Sequence, residues 1–204
     1  MRVLIVTVLL LFVGYFLYKP IHKSANVLYG ISLVIGIASV LLMDKVKITE
    51  MLTHGIVGTA ALYIVMITGV FKKKSELRKR FMAIRKEYSI LGVILLLPHV
   101  YIYLLEFFSD LTNLDDWFGI VAFLIMIPLF ITSFTTIRKK YTYSAWKKIQ
   151  RWAYLAYALI YLHLLFSAEI RDLIVYSFLF VPYFIIKLIN EYQGLKTKKI
   201  KANV

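Results

Sequence analysis

Four histidines, His22, His54, His99 and His163, are the side chains best suited to bind a metal, and there is no cysteine. The missing thiol excludes disulfides, iron–sulfur clusters, thiolate catalysis and thiolate-bound zinc. His54 stands in EMLTHGIVGTAAL, His99 in LLLPHVYIYLL and His163 in ALIYLHLLFS, all inside apolar runs. An ionisable group at membrane depth is costly and is a functional candidate for that reason. His22 adjoins Lys23 in a polar connection and reads as a solvated loop residue. Neutral imidazoles from separate helices at similar depth can ligate one haem iron from both faces, with aliphatic and aromatic neighbours forming the slot for the porphyrin. Zinc suits the pattern less, because no carboxylate stands at helical spacing beside these residues and a catalytic zinc takes about three protein ligands. A hydrogen-bonded packing role is the competing reading of each histidine. Pro98 directly precedes His99. A proline there removes a backbone hydrogen bond and is expected to open space beside the ring. Gly55 and Gly58 are expected to allow close helix approach.

The elements that must carry these residues are transmembrane helices. The chain has 204 residues, of which 61% are hydrophobic, and a mean hydropathy of +0.77; soluble domains are nearer half apolar. Apolar runs at 2–18, 26–43, 49–71, 88–108, 117–137, 153–168 and 171–190 approach the roughly 20 residues that cross a bilayer. None alternates with the period of a barrel strand. The expected fold is all-α, a polytopic bundle of about seven transmembrane helices. A net charge of +14 sits in short runs between the apolar stretches, as in membrane loops, and does not point to nucleic acid. Lysines and arginines favour cytoplasmic loops. With the N-terminus outside and the C-terminus cytoplasmic, every one of the 25 basic residues lies inside except Arg2, Lys45, Lys47 and Arg171. Glu106, Asp110, Asp115 and Asp116 flank one outer loop. On that orientation His99 lies roughly 14 Å and His163 roughly 8 Å below the outer ends of their spans, at about 1.5 Å per residue, and His54 is about as shallow as His163. The first span resembles a signal peptide but lacks a small-residue cleavage pattern, so it reads as a retained helix. The linker 72–87 reads as an interfacial helix with Phe81, Met82 and Ile84 among the headgroups. No P-loop or dinucleotide-binding glycine pattern is present, so nucleotide chemistry belongs to another protein.

The order of residues from Arg85 to His163 resembles the ferric-reductase-like transmembrane family. The matching positions are Arg85, Lys86, Leu91, Gly92 and His99; then Gly119, Ala122, Pro128, Leu129, Thr132 and Ser133; then Trp146, Arg151, Tyr154, Leu162 and His163. Gly58 to Leu62 looks like the preceding family helix, so the resemblance covers roughly residues 50 to 190. Within the family the chain looks most like the haem-binding membrane subunit of periplasmic methionine sulfoxide reductase systems. The resemblance implies six family-like helices plus an extra N-terminal one. It divides the chain into two N-terminal helices (1–48), a haem-binding transmembrane domain (49–190) and a basic cytoplasmic tail (191–204). It implies that His99 and His163 are the axial ligands of one b-type haem. Gln150 stands where the family carries another histidine, and Arg85 and Lys86 hold the equivalent level on the fourth span, so the usual second pair is absent. His54 and Gln150 remain as further candidate ligands. The family moves electrons from a cytoplasmic flavin donor to an extracytoplasmic acceptor. The resemblance therefore implies a multi-pass plasma-membrane protein with a separate cytoplasmic flavoprotein reductase. Lys72–Lys74, Arg78–Arg80 and Lys147–Arg151 would offer that donor a basic docking face. An extracytoplasmic oxidoreductase or ferric iron would be the acceptor, and FMN, a quinone or a second haem with unconventional ligands would bridge the inner half. The competing readings are a cofactor-free transporter or scaffold, and a family member that has lost its haem.

Overall fold

The computed structural model describes residues 1–43, 45–72, 74–109 and 112–202, without the side chains of residues 109, 114, 115, 191 and 194–202. The expectations for Lys73, Asp110, the Asp115 side chain and most of the tail lie outside the described residues. All regular structure described is helical. The helices are α1 (Arg2–Phe16), α2 (Tyr18–Lys23), α3 (Ala25–Leu41), α4 (Glu50–Thr53), α5 (Ile56–Ile67), α6 (Glu76–Ser109), α7 (Leu114–Ile131), α8 (Thr135–Arg138), α9 (Tyr143–Arg151), α10 (Ala153–Ser167) and α11 (Ile170–Ala202). All seven apolar runs are helical. By length and composition, α6 over Glu76–Phe108 and α11 over Ile170–Asn190 suffice to cross a membrane. The 3-10 turn and α4 (Lys47–Thr53) together with α5 supply a third crossing if the bent pair counts as one span. The apolar helices α1, α3 and α7 are shorter.

Small residues set the close contacts. A Cβ on Gly58 would lie 2.8 Å from the Gly92 carbonyl oxygen on α6, so α5 and α6 cross almost backbone to backbone. On the far side of α6, Gly36 of α3 packs under the Pro98 ring, 3.4 Å from where its Cβ would stand. Polar side chains within the apolar helices bond to their own backbone. Thr7 donates to the Val3 carbonyl at 2.7 Å, and Ser39 donates to that of Gly36 at 2.7 Å. One apolar core includes Ile56, Leu62, Val93, Leu96, Met126, Ala156 and Phe180. A second gathers Ile21, Ala61, Ile64, Phe81, Ile84 and Tyr88.

Two expectations change. The linker 72–87 is not a separate interfacial helix, because its residues from Glu76 onward are the first turns of α6. Phe81 and Ile84 are buried in the second core and only Met82 is exposed. The burial of those two side chains carries the helix straight into its apolar half. The run 49–71 is interrupted: α4 and α5 meet at 44°. Gly55 takes a left-handed conformation there, with φ of 69°, which a side chain would strain.

The bundle has two chemically distinct ends. At one end Arg2 pairs with Glu50 at 2.9 Å and the Met1 ammonium pairs with Asp172. At the other, the Arg80 guanidinium donates to the Tyr15 carbonyl at 3.0 Å and Lys86 reaches Thr135 at 3.5 Å. The second is the basic end, which carries the segments 19–23, 72–86 and 138–151.

Candidate functional site

His99 comes from α6 and His163 from α10. Their ring centres are 6.2 Å apart with planes inclined at 58°. The break between α4 and α5 explains how His99 is held. It turns the Thr53 carbonyl toward α6, where the oxygen lies 3.2 Å from His99 Nδ1. A carbonyl only accepts, so Nδ1 carries the proton and Nε2 keeps its lone pair. The Tyr103 ring, one turn further along α6, packs on the His99 ring at 4.6 Å between centres.

Glycines give both rings their room. A Cβ on Gly55 would stand 3.0 Å from His99 Cγ, and one on Gly119 of α7 would stand 3.2 Å from His163 Nδ1. A cavity of about 1240 Å³ opens beside the two histidines. Its deeper wall is apolar, with Leu96, Phe123, Met126 and Ile160, and its mouth is charged, with Arg2, Glu50, Asp116, Arg171 and Asp172.

The other candidates sit elsewhere or contribute differently. His54 also lines the cavity but is exposed, at the junction of α4 and α5. Gln150 does not reach the cavity. At the basic end its amide donates to the Leu129 carbonyl at 3.4 Å and to Thr132 Oγ1 at 3.2 Å, tying α9 to the end of α7. Arg85 is exposed at that level. His22 is not simply solvated: its Nδ1 lies 2.9 Å from Glu87 Oε1, a carboxylate that is only 1% exposed and also meets Lys86 at 3.1 Å. Glu87 stands next to Arg85 and Lys86 and looks like part of a charged surface in the sequence; only the fold brings it under His22. Pro98 does not break α6, which runs through it. Its ring faces α3 while the neighbouring His99 faces the cavity.

Sequence reasoning missed Thr53, Tyr103 and the part played by Gly119. Tyr103 had a signal, since it follows His99 at the i,i+4 spacing that puts two rings on one helix face. The Thr53 carbonyl had none, because a backbone acceptor is exposed by a bend and not by a residue type. Among the described residues, no cluster of three or more histidine, aspartate or glutamate side chains is arranged to hold a metal ion. The site therefore offers a pair of imidazoles and not a three-ligand cage.

The model of the family described as ferric reductase like transmembrane component matches residues 54–161. The stretch includes His54 and His99, the α4–α5 junction, and α6, α7 and the first part of α10; His163 stands two residues beyond its end. A protein of Treponema pallidum (strain Nichols), named only as uncharacterised, is 32% identical over 169 residues. The alignment covers 74% of this chain and 47% of that protein, so the chain spans less than half the length of this relative. No solved structure matches the chain. The family match covers more than half of the chain, and the chain belongs to the ferric-reductase-like transmembrane family.

Proposed function

We propose that this chain is a b-type haem electron-transfer protein of the membrane, with His99 and His163 as the two axial ligands. The separation of the two rings carries this reading. A metal–imidazole bond is about 2 Å and the ring centre lies about 1 Å beyond the nitrogen, so two rings sharing one iron have centres about 6 Å apart. The observed 6.2 Å fits that spacing. A deep apolar wall with a polar mouth suits a porphyrin whose propionates reach the charged rim. Arg2 and Arg171 are the cations at that rim.

Two imidazoles leave no open iron position, and the chemistry a haem so held supplies is one-electron transfer. The rest falls to the protein. Thr53 accepts from His99 Nδ1, which would leave Nε2 free to hold the metal. Gly55 and Gly119 leave room for the rings where a Cβ would crowd them. The apolar wall excludes water. Gln150 and Arg85 do not form a second ligand pair, since the Gln150 amide is engaged with α7 and Arg85 is exposed; one haem per chain follows, and His54 at the cavity mouth is not needed as a ligand.

The basic end then faces the cytoplasm and the histidine end faces outward. A separate flavoprotein docks on the basic end as donor, and an FMN or quinone carries electrons through the inner half. The acceptor, an oxidoreductase such as a periplasmic methionine sulfoxide reductase or ferric iron, approaches the cavity mouth. Residues 49–190 are the haem-binding domain; the apolar helices α1 and α3 precede it, and the first of them is extra to the family pattern.

The test is spectroscopic. Protein purified after haem-supplemented expression is expected to be red, with a Soret band that shifts on dithionite reduction and one haem per chain. His99→Ala and His163→Ala should each abolish the low-spin spectrum. A colourless wild-type protein would remove the haem and leave a cofactor-free transporter or scaffold or a family member that has lost its haem; alanine variants with unchanged spectra would show that other residues hold the haem.

A further inference from the structure

Two of the basic segments, 72–86 and 138–151, differ in how their charges are neutralised. In the first, Arg80 and Lys79 pair with Glu76, Lys86 pairs with Glu87, and Arg78 donates to the carbonyls of Gly69 and Phe71 at 2.9 Å each. The second segment holds Arg138, Lys139, Lys140, Lys147, Lys148 and Arg151, all exposed. None of the six is ion-paired with a carboxylate among the described residues. The sequence has no aspartate or glutamate between Trp117 and Ala168, so this charge has no counter-ion in its own stretch of chain.

The segment is also held in place. Thr142 caps α9 by accepting from the Ala145 amide at 3.2 Å. Trp146 Nε1 donates to the Thr132 carbonyl at 3.3 Å, and Gln150 bonds to the same turn of α7. These bonds fix one face of the strongly amphipathic α9 against the end of α7. Lys147, Lys148 and Arg151, spaced i, i+1 and i+4, share the opposite face. Arg138 stacks on the Trp146 ring at 4.4 Å, and Tyr141, Tyr143 and Trp152 stand exposed among the cations. Trp152 leads directly into α10, so α9 lies where two apolar helices leave the apolar layer. Exposed tyrosine and tryptophan interleaved with lysine and arginine at that level suit the headgroup region more than a protein surface.

We infer that the segment from Arg138 to Arg151 is a binding platform for the phosphate groups of anionic phospholipids. This does not depend on the haem reading. It assigns the cations of α9 to lipid and leaves Lys72 and Lys74 for a protein partner.

The test uses the full chain, reconstituted in nanodiscs of phosphatidylcholine with phosphatidylglycerol and then released for native mass spectrometry. The wild type is expected to retain phosphatidylglycerol several-fold over its share of the bilayer. A variant combining Lys147→Gln, Lys148→Gln and Arg151→Gln should fall to that share, while Lys147→Arg with Lys148→Arg keeps the enrichment. A control combining Lys72→Gln, Lys74→Gln and Lys79→Gln should behave as wild type. Helical circular dichroism checks that each variant is folded. Equal retention by the α9 variant, or an equal loss in the control, overturns the proposal. So does an α9 that shows no lipid enrichment but binds an acidic protein.

Discussion

At the scale of single residues, the site depends on what is absent beside its rings as much as on the rings. Gly119 stands where a Cβ would come within 3.2 Å of His163 Nδ1, closer than ordinary contact. Gly119→Val should therefore turn the His163 ring out of line and lower haem affinity by about tenfold or more, the usual scale for groups that orient a ligand. Gly119→Ala should have a smaller effect in the same direction. Haem content per chain and the position of the Soret band measure both, and full loading of the valine variant would show that His163 is not a ligand. The histidine types and their apolar settings were legible in the sequence, and the family resemblance singled out His99 and His163, whose ring centres stand 6.2 Å apart. What was hidden depends on long-range placement. His22 and Glu87 stand 65 positions apart and form a contact that neither local sequence suggests. The Thr53 carbonyl is available only because the chain bends at Gly55.

At the scale of helices, the crossing of α5 over α6 holds the cavity wall in register. Gly58 would put a Cβ 2.8 Å from the Gly92 carbonyl oxygen and 2.9 Å from the Leu96 amide nitrogen. Both are backbone atoms that no side-chain rotation can move. Leu96 lines the cavity and His99 follows it by one turn, so separating the helices also displaces the helix that carries His99. Gly58→Val should destabilise the protein by about 1 to 3 kcal/mol, seen as a lower thermal midpoint in detergent. Haem retention should fall with it, and an unchanged midpoint would show that the crossing is looser than it stands here. The helical nature of every apolar run was readable from composition and length, but helix boundaries were not. The sequence of 72–87 reads as an amphipathic surface segment because its cations dominate. Phe81 and Ile84 point instead into the second core and make the segment continuous with α6.

At the scale of the whole molecule, the fold sorts charge between two ends, and the proposed direction of electron flow rests on which end faces the cytoplasm. The absence of cysteine makes this directly measurable, because any thiol introduced is the only one present. Ser144 in α9 is exposed at the basic end, and Ile48 is 71% exposed at the other. In intact cells, Ile48→Cys should react with a membrane-impermeant maleimide and Ser144→Cys should not, until the membrane is opened. The excess of lysine and arginine near Ser144 gives that orientation, since basic segments resist translocation. The reverse labelling pattern would put the histidine cavity on the cytoplasmic side. Electrons from a soluble donor would then reach it without crossing the bilayer, and the need for a carrier in the other half would disappear. With the expected pattern, the proposed haem between two imidazoles at the outer end, with no second histidine pair among the described residues of the inner end, requires that carrier.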